Sequence, residues 1–372
     1  MSDAGPAPET GRLTIDLQSL ATNWLDLAER ARTAATGAVV KGDAYGVGIT
    51  RAVQALAEAG CHTFFVAVPE EGVRVRAAVA DAAIYVLGGL VPGAGRVYGD
   101  FDLRPVLGCR PEIEEWSALR REGLRTRAAL HVDTGMNRLG LTLGEARKLT
   151  ETRNFADSLG LSLVMSHLAC ADTPDHPLNR KQLAAFRAVR TLLPDLPASL
   201  ANSAGVFLGA EYHFDVVRPG IALYGGQAVN GVENPMRPVP TLEAMVLQVR
   251  EAKAGETVGY GAAETLRRAS RIAILGVGYA DGYHRAAGAS DRRVGASAFI
   301  RGRLAPLLGR VSMDLMAIDV TDIPGVARGD WAELFGHHVA LDDVAAHADT
   351  IGYELLTSLG RRYRRIYLGG SD

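Results

Sequence analysis

Short apolar runs, each followed by a turn and then by an apolar stripe at helical spacing, recur along the first part of the chain. After LTID at 13–16, Leu17, Leu20, Trp24, Leu27 and Ala31 return at the intervals of an amphipathic helix. The next runs are AVVK (38–41), TFFVAV (63–68), AIYVLG (83–88), LRPVLG (103–108), RAALHV (127–132), LSLVMSH (161–167), ASLAN (198–202) and FDVVRPG (214–220). Helical stretches such as ITRAVQALAEAG and KQLAAFRAVRTLL lie between them. About eight strands separated by helices over roughly 200 residues predict a (β/α)8 TIM-like barrel better than an open sheet. From Pro238 onward the pattern changes to TLEAMVLQVREA, SRIAILGVGYA and RVSMDLMAIDV, with glycine-rich turns between. Only LDDVAAHA and YELLTSLG read as helical there, so an α/β barrel followed by a mostly β C-terminal domain is expected. The Pro, Gly and Asn of VNGVENPMRPV mark the boundary. The division is a tail at 1–12, a barrel at 13–235 and a β domain at 236–372.

Bulk composition narrows the partners. The 372 residues are 48% hydrophobic and 22% charged, which describes a soluble globular chain with ample core. A net charge of -2 supplies no broad basic field for nucleic acid or an anionic membrane, so small molecules are the expected partners. No apolar run reaches the roughly 20 residues of a membrane span. Cys61, Cys109 and Cys170 are odd in number and widely spaced, matching neither a disulfide framework nor a metal pattern. MSDAGPAPET has no apolar core and reads as a frayed tail rather than a leader. A reducing, cytoplasmic setting is expected.

Candidate chemistry begins at AVVKGDAYGVG, where a lone lysine ends an apolar strand. Lys41 reads either as a solvated strand end or as an amine in a dry pocket, its pKa lowered so that it can condense with a carbonyl cofactor. In a barrel, reactive groups sit at the carboxyl ends of strands. By that rule Lys41, Arg138, His167, Asn202 with Ser203, and Arg218 converge on one mouth, although each alone has a bland explanation. Ser203 and the Gly220 and Ile221 amides suit a phosphate, because orphan N–H groups at loop ends favour anions. A lysine facing such a site, with the Tyr45 hydroxyl nearby, suits pyridoxal phosphate. His167 is placed to pack on its ring and Arg218 to hydrogen-bond its nitrogen.

The motifs VVKGDAYGVG, HVDTGMNRLG, SHLACAD, NSAG, VRPGIALYG, VGYG, GVGYADGY, GRVSMDLM and GYELL occur in the order found in alanine racemases, which this chain resembles from about Leu13 to the RRIY near its C-terminus. The resemblance implies an enzyme that interconverts L-alanine and D-alanine with pyridoxal 5'-phosphate, supplying D-alanine for peptidoglycan or serving alanine catabolism. It implies that Lys41 carries the cofactor and that Tyr45, Ser203, Gly220, Ile221 and Tyr353 hold the phosphate. Arg218 is implied at the pyridine nitrogen, and Arg138 near the ring hydroxyl and the substrate carboxylate. Tyr260 is implied as a second base, supplied with Met313 by the other subunit of a head-to-tail homodimer. Asp172, Tyr279 and Arg310 are implied in the access corridor. Racemisation needs two bases on opposite faces of a planar species. A tyrosine, ordinarily near pKa 10, requires tuning for that task, for which Arg285, His167 and Arg218 are candidates.

Two positions depart from the family pattern. His131 stands where many members carry a lysine that becomes a carbamate and props the active-site arginine. Gly42-Asp43 stands where Ala-Asn or Ala-Asp is usual, and the glycine is expected to loosen the loop. Two rivals resemble the chain less. Basic amino-acid decarboxylases place an acid where Arg218 stands and a cysteine in the second domain. Cofactor-binding proteins built of the barrel alone lack Tyr260.

Overall fold

Strands buried on both faces read as continuous apolar runs, whereas half-buried strands alternate. Both kinds occur in the computed structural model, which describes residues 9–370, and they separate into two units.

The unit formed by residues 20–237 carries the continuous kind. Parallel strands run in the order Ala38–Val39, Thr63–Val66, Ala83–Val86, Leu103–Leu107, Ala128–His131, Leu161–Met165 and Ala198–Ser199. Val216–Val217 pairs in parallel with Ala35–Thr36, the start of the same path as Ala38–Val39. Backbone bonds complete the ring: Asp215 N donates to Ala198 O (3.0 Å), Gly37 N to Val217 O (3.0 Å) and Val39 N to Pro219 O (2.9 Å). The predicted (β/α)8 barrel is therefore the fold of this unit. Its helices include Ile49–Glu58, Pro69–Ala78, Arg110–Arg121 and Pro177–Leu192. Buried Asn23 ties down the last segment, donating to Leu223 O (3.1 Å) and Arg237 O (2.9 Å) and accepting from Arg237 N (2.9 Å).

The second unit joins residues up to Ser19 with 238–370. The strand Pro240–Ala252 alternates buried and half-buried positions along its first part, as a strand with one wet face must. Antiparallel pairing links Pro240–Ala252, Ser270–Leu275, Met316–Asp319, Arg303–Leu308, Ser297–Ile300 and Trp331–Phe335 into a closed ring. Leu341–His347 and Gly352–Thr357 are the helices expected from LDDVAAHA and YELLTSLG.

Two expectations are corrected here. The strand Gly11–Asp16, assigned by sequence to the tail and the barrel, lies in the sheet of the second unit, antiparallel to Pro240–Ala252 and parallel to Arg364–Leu368. Its alternating burial fits that half-wet sheet and not a barrel strand. Residues 1–8 of the expected tail lie outside the described residues. The run RVSMDLMAIDV is strand only over Met316–Asp319. Its first half is a turn, because Ser312 and Met313 spend their carbonyls on Tyr279 N (3.0 Å) and Ala280 N (2.9 Å) rather than on a ladder.

Candidate active site

Lys41 emerges two residues beyond the barrel strand Ala38–Val39, and the chain then turns the unusual way. Gly42, Asp43, Ala44, Tyr45 and Gly46 all have positive φ (64°, 54°, 55°, 54° and 80°), a left-handed helical turn. Each non-glycine residue held there costs about 1–2 kcal/mol, so the turn persists only if its surroundings over-determine it. Gly42 adopts the conformation without a side-chain penalty. It therefore relieves strain at that position. Glu71 accepts from Gly42 N (2.6 Å) and Asp43 N (3.2 Å), and its other oxygen from Ala67 N (2.9 Å). Asp43 caps Ile49 N (3.1 Å) and pairs with Arg74 (2.6 Å), which gives the Asp of Gly42-Asp43 a partner.

The turn delivers Tyr45 into the barrel end, where its ring stacks on Tyr224 with centroids 4.6 Å apart. Tyr224 is fixed in turn by donating to Val39 O (3.0 Å). A side chain begun at Gly220 would stand 2.3 Å from the Tyr45 hydroxyl, so that phenol reaches the loop after the last strand only because Gly220 has none. Ser203 Oγ accepts from Gly220 N (2.7 Å) and Ala222 N (3.4 Å). The Gly220 amide is thus not the orphan donor the sequence suggested, and Ser203 is left with its own hydroxyl proton to give. Asn202 holds the Ser203 segment by accepting from Gly205 N (2.9 Å). Ile221 is buried at the start of the turn Ile221–Tyr224.

Arg218 is 2% exposed and none of its hydrogen-bond partners is a carboxylate. It donates to Ser199 Oγ (2.5 Å), Ser166 O (2.7 Å), Leu200 O (3.4 Å) and His167 Nδ1 (3.3 Å). Burial pushes the guanidinium down to about 9, so it stays charged at neutral pH. Because His167 Nδ1 faces a donor, that nitrogen accepts and the ring proton belongs on Nε2. Burial, then Arg218, Arg138 and Lys41, hold His167 well below its ordinary pKa. The Lys41 amine is lowered by burial and by Arg138, with Glu71 opposing. These mutual influences link Lys41, Arg138, His131, His167 and Arg218 electrostatically; all but His131 are groups to which the strand-end rule points.

His131 is buried and pushed down to about 4, by burial first and Arg218 second. It is therefore neutral at pH 7 and supplies no anion for Arg138, which lies on an exposed loop and, among the described residues, makes no hydrogen bond or ion pair. That loop is shaped by Asp133, which accepts from Gly135 N (3.1 Å), Met136 N (2.9 Å) and Asn137 N (3.2 Å). A pH prediction follows for His131. Its folded pKa lies below the unfolded value near 6.5, so the unfolded chain binds the proton first, and stability present above pH 6.5 is lost as pH falls toward 4. Between pH 7 and pH 5 this removes about 2 kcal/mol. Urea midpoints of wild type and His131→Gln at the two pH values check it: the variant should show the smaller drop.

Several positioning groups escaped the sequence reading. Gln182, fully buried, donates to His167 O (2.8 Å) and Thr134 Oγ1 (3.3 Å) and accepts from Ala169 N (2.9 Å), joining the loops that carry Arg138 and His167. Ser166, Ser199, Tyr224 and Glu71 were also missed. Glu71 had one signal, an acid in the first turn of a helix opened by proline, PEEG.

The remaining candidates divide between the units. Asp172 belongs to the barrel unit, where its carboxylate accepts from Asn230 Nδ2 (3.1 Å). The others lie in the second unit. Tyr260 opens the turn Tyr260–Ala262 between the paired strands Thr257–Val258 and Glu264–Thr265, whose base rests on an apolar cluster of Val258, Leu266, Ile272, Leu308 and Ala317. Its side chain is 71% exposed. The Arg310 guanidinium approaches the same turn at Gly261. Tyr279 and Met313 are neighbours through the backbone bonds given above, and both are exposed, as are Arg285 and Tyr353.

Comparison with known proteins decides the family. The family model described as "Alanine racemase, N-terminal domain" matches residues 15–228, and "Alanine racemase, C-terminal domain" matches 239–367. The chain belongs to the alanine racemase family. It is 50% identical to the alanine racemase of Rhizobium meliloti (strain 1021), over 97% of this chain and 98% of that one. It is 49% identical to the biosynthetic alanine racemase of Agrobacterium fabrum, over 97% and 94%. Among solved structures, an alanine racemase from Bartonella henselae with covalently bound pyridoxal phosphate superposes with a TM-score of 0.91 at 39% identity, covering 97% of this chain and all of that one. Among the described residues no helix is long and apolar enough to cross a membrane.

Proposed function

We propose that this enzyme interconverts L-alanine and D-alanine with pyridoxal 5'-phosphate, using Lys41 and Tyr260 as bases on opposite sides of the substrate. The observation that carries the reading is Lys41 itself: an amine at the end of a barrel strand, lowered in pKa by burial and by Arg138. The cofactor fits the residues present. Lys41 offers a nucleophilic amine, Ser203 a hydroxyl proton, Tyr45 a phenol kept in place by the bare Gly220, and Arg218 a buried cation with no acid bonded to it. When bound, pyridoxal phosphate supplies an electron sink that acidifies the α C–H of an amino acid.

In this reading Lys41 anchors the cofactor, Tyr45, Ser203, Ile221 and Tyr353 hold its phosphate, and Gly220, its amide taken by Ser203 Oγ, gives the Tyr45 phenol room to reach it. His167, neutral, packs on the ring. Arg218 keeps its proton, because a guanidinium donates a hydrogen bond without surrendering it. Arg138 binds the substrate carboxylate. Lys41 Nζ moves the α-proton on one face, and the phenolic oxygen of the partner subunit's Tyr260 moves it on the other. The exposure of Tyr260, Tyr279 and Met313 leaves these side chains available to a second copy of the chain, and a head-to-tail homodimer is part of this proposal. Met313 then meets the carboxylate, while Asp172, Tyr279, Arg310 and Arg285 line or support the approach. A cytoplasmic setting, and a role in peptidoglycan supply or in alanine breakdown, belong to the same proposal.

The test is incubation of the purified holoenzyme with L-alanine, and separately with L-serine, in deuterated water. Formation of D-alanine with α-deuteration is expected, and L-serine should turn over more slowly by up to about 10²-fold, the limit of discrimination against one added hydroxyl. Absence of D-alanine would overturn the assignment.

A further inference from the structure

We propose that Glu71 is a positioning residue for Lys41, its carboxylate gathering the two backbone amides that follow the lysine and so aiming the amine into the barrel mouth. The inference deepens the function proposed above and rests on it for its kinetic arm only.

The left-handed turn is a strained object next to the reacting group. Asp43, Ala44 and Tyr45 each occupy a region that L-residues avoid, and three in succession represent several kcal/mol of backbone cost. The turn's own bonds, Ala44 N to Val40 O (2.9 Å) and Gly46 N to Gly42 O (2.8 Å), leave the amides of Gly42 and Asp43 to be satisfied from outside. A carboxylate is the group for that task. It accepts only, it carries several lone pairs, and charge-assisted bonds to backbone N–H are roughly twice as strong as neutral ones. Glu71 supplies it from the first turn of Pro69–Ala78, with one oxygen on Gly42 N and Asp43 N and the other on Ala67 N, just past the neighbouring barrel strand. One side chain therefore pins the exit of the first strand to the exit of the second. Arg74, three residues further along the same helix, adds the ion pair to Asp43, but that pair is about two-fifths exposed and contributes under about 1 kcal/mol. The grip is chiefly that of Glu71.

The same charge also acts on the lysine. Glu71 raises the proton affinity of Lys41 against the two influences that lower it. Removing the charge while keeping the shape should loosen the turn and lower the lysine's pKa together, a pairing that a role in general stability does not produce.

The decisive variant is Glu71→Gln in the full-length holoenzyme, with Glu71→Asp, which retains the charge one methylene short, as the second. Hydrogen–deuterium exchange of the peptide spanning residues 40–47 should accelerate about tenfold or more in Glu71→Gln, while the peptide of the helix Pro177–Leu192 stays as in wild type. On alanine, kcat should fall about 10- to 100-fold with KM changed by less than about threefold, as expected when a reacting group is misaimed while substrate binding stays intact. The pH–rate profile should move to lower pH for one enantiomer only. Glu71→Asp should keep the wild-type pH profile. Unchanged exchange at 40–47 in Glu71→Gln overturns the inference, as does an equal acceleration of both peptides. A wild-type enzyme inactive on alanine whose Glu71→Gln variant still loosens only the 40–47 peptide would overturn the proposed function and leave the positioning role standing.

Discussion

Lys41→Ala is expected to lower kcat for alanine at least about 10⁴-fold in both directions, because the variant loses an anchoring nucleophile and a base in a single truncation. No neighbour can take over the task. Arg138 and Arg218 are guanidiniums that hold their protons, and the imidazole of His167 has no primary amine with which to anchor a carbonyl. The half-buried side chain ends at a barrel mouth rather than inside its core, so truncation leaves packing intact and the melting temperature should change little. Borohydride reduction of wild type followed by peptide mapping should tag position 41 and no other. Retention of more than about a hundredth of the wild-type rate by Lys41→Ala, or a tag elsewhere, would remove the lysine from the mechanism.

The second large effect is Tyr260→Phe. The substitution deletes one oxygen from a side chain that is 71% exposed in the single chain, so stability should move by no more than about 0.5 kcal/mol. Loss of a general acid–base group costs typically 10²–10⁴-fold in rate, and interconversion should fall by about that factor. The informative readout is asymmetry in deuterated water: one enantiomer should still exchange its α-proton while the other does not. Lys41→Arg, which keeps a cation at the position but holds its proton, should bias any residual exchange toward the opposite enantiomer. Equal loss from both enantiomers in Tyr260→Phe, or loss from the same enantiomer in both variants, would dismantle the two-base scheme.

The barrel was legible because a parallel strand covered on both faces leaves an unbroken apolar run, and a lysine ending such a run at AVVK stands out against it. Arg218 at the end of FDVVRPG and His167 at the end of LSLVMSH were found by the same strand-end rule. The left-handed turn was not legible: Gly42 and Gly46 hint at positive φ, but Asp43, Ala44 and Tyr45 between them run against their own propensities and are held by tertiary contacts. Glu71 and Gln182 were invisible for a related reason. Gln182 acts 13 positions away on Ala169 and 48 away on Thr134, and Glu71 acts 29 and 28 positions away on Gly42 and Asp43, and no spacing rule connects a helix residue to such a distant loop. LTID was misassigned because a six-residue alternating strand carries no signal of which sheet it joins. RVSMDLM looked like a strand on composition alone, whereas its carbonyls serve the Tyr279 turn.

The strand Gly11–Asp16 lies between Pro240–Ala252 and Arg364–Leu368 in one sheet. A ribosome making this chain therefore releases one seam of the β unit first and supplies the matching seams only after more than two hundred further residues have emerged. Gene fragments cut at residue 236 would strand Arg364–Leu368 beside an unfilled slot, whereas a circular permutant that joins the first strand directly to the later ones would let that unit be synthesised in one piece.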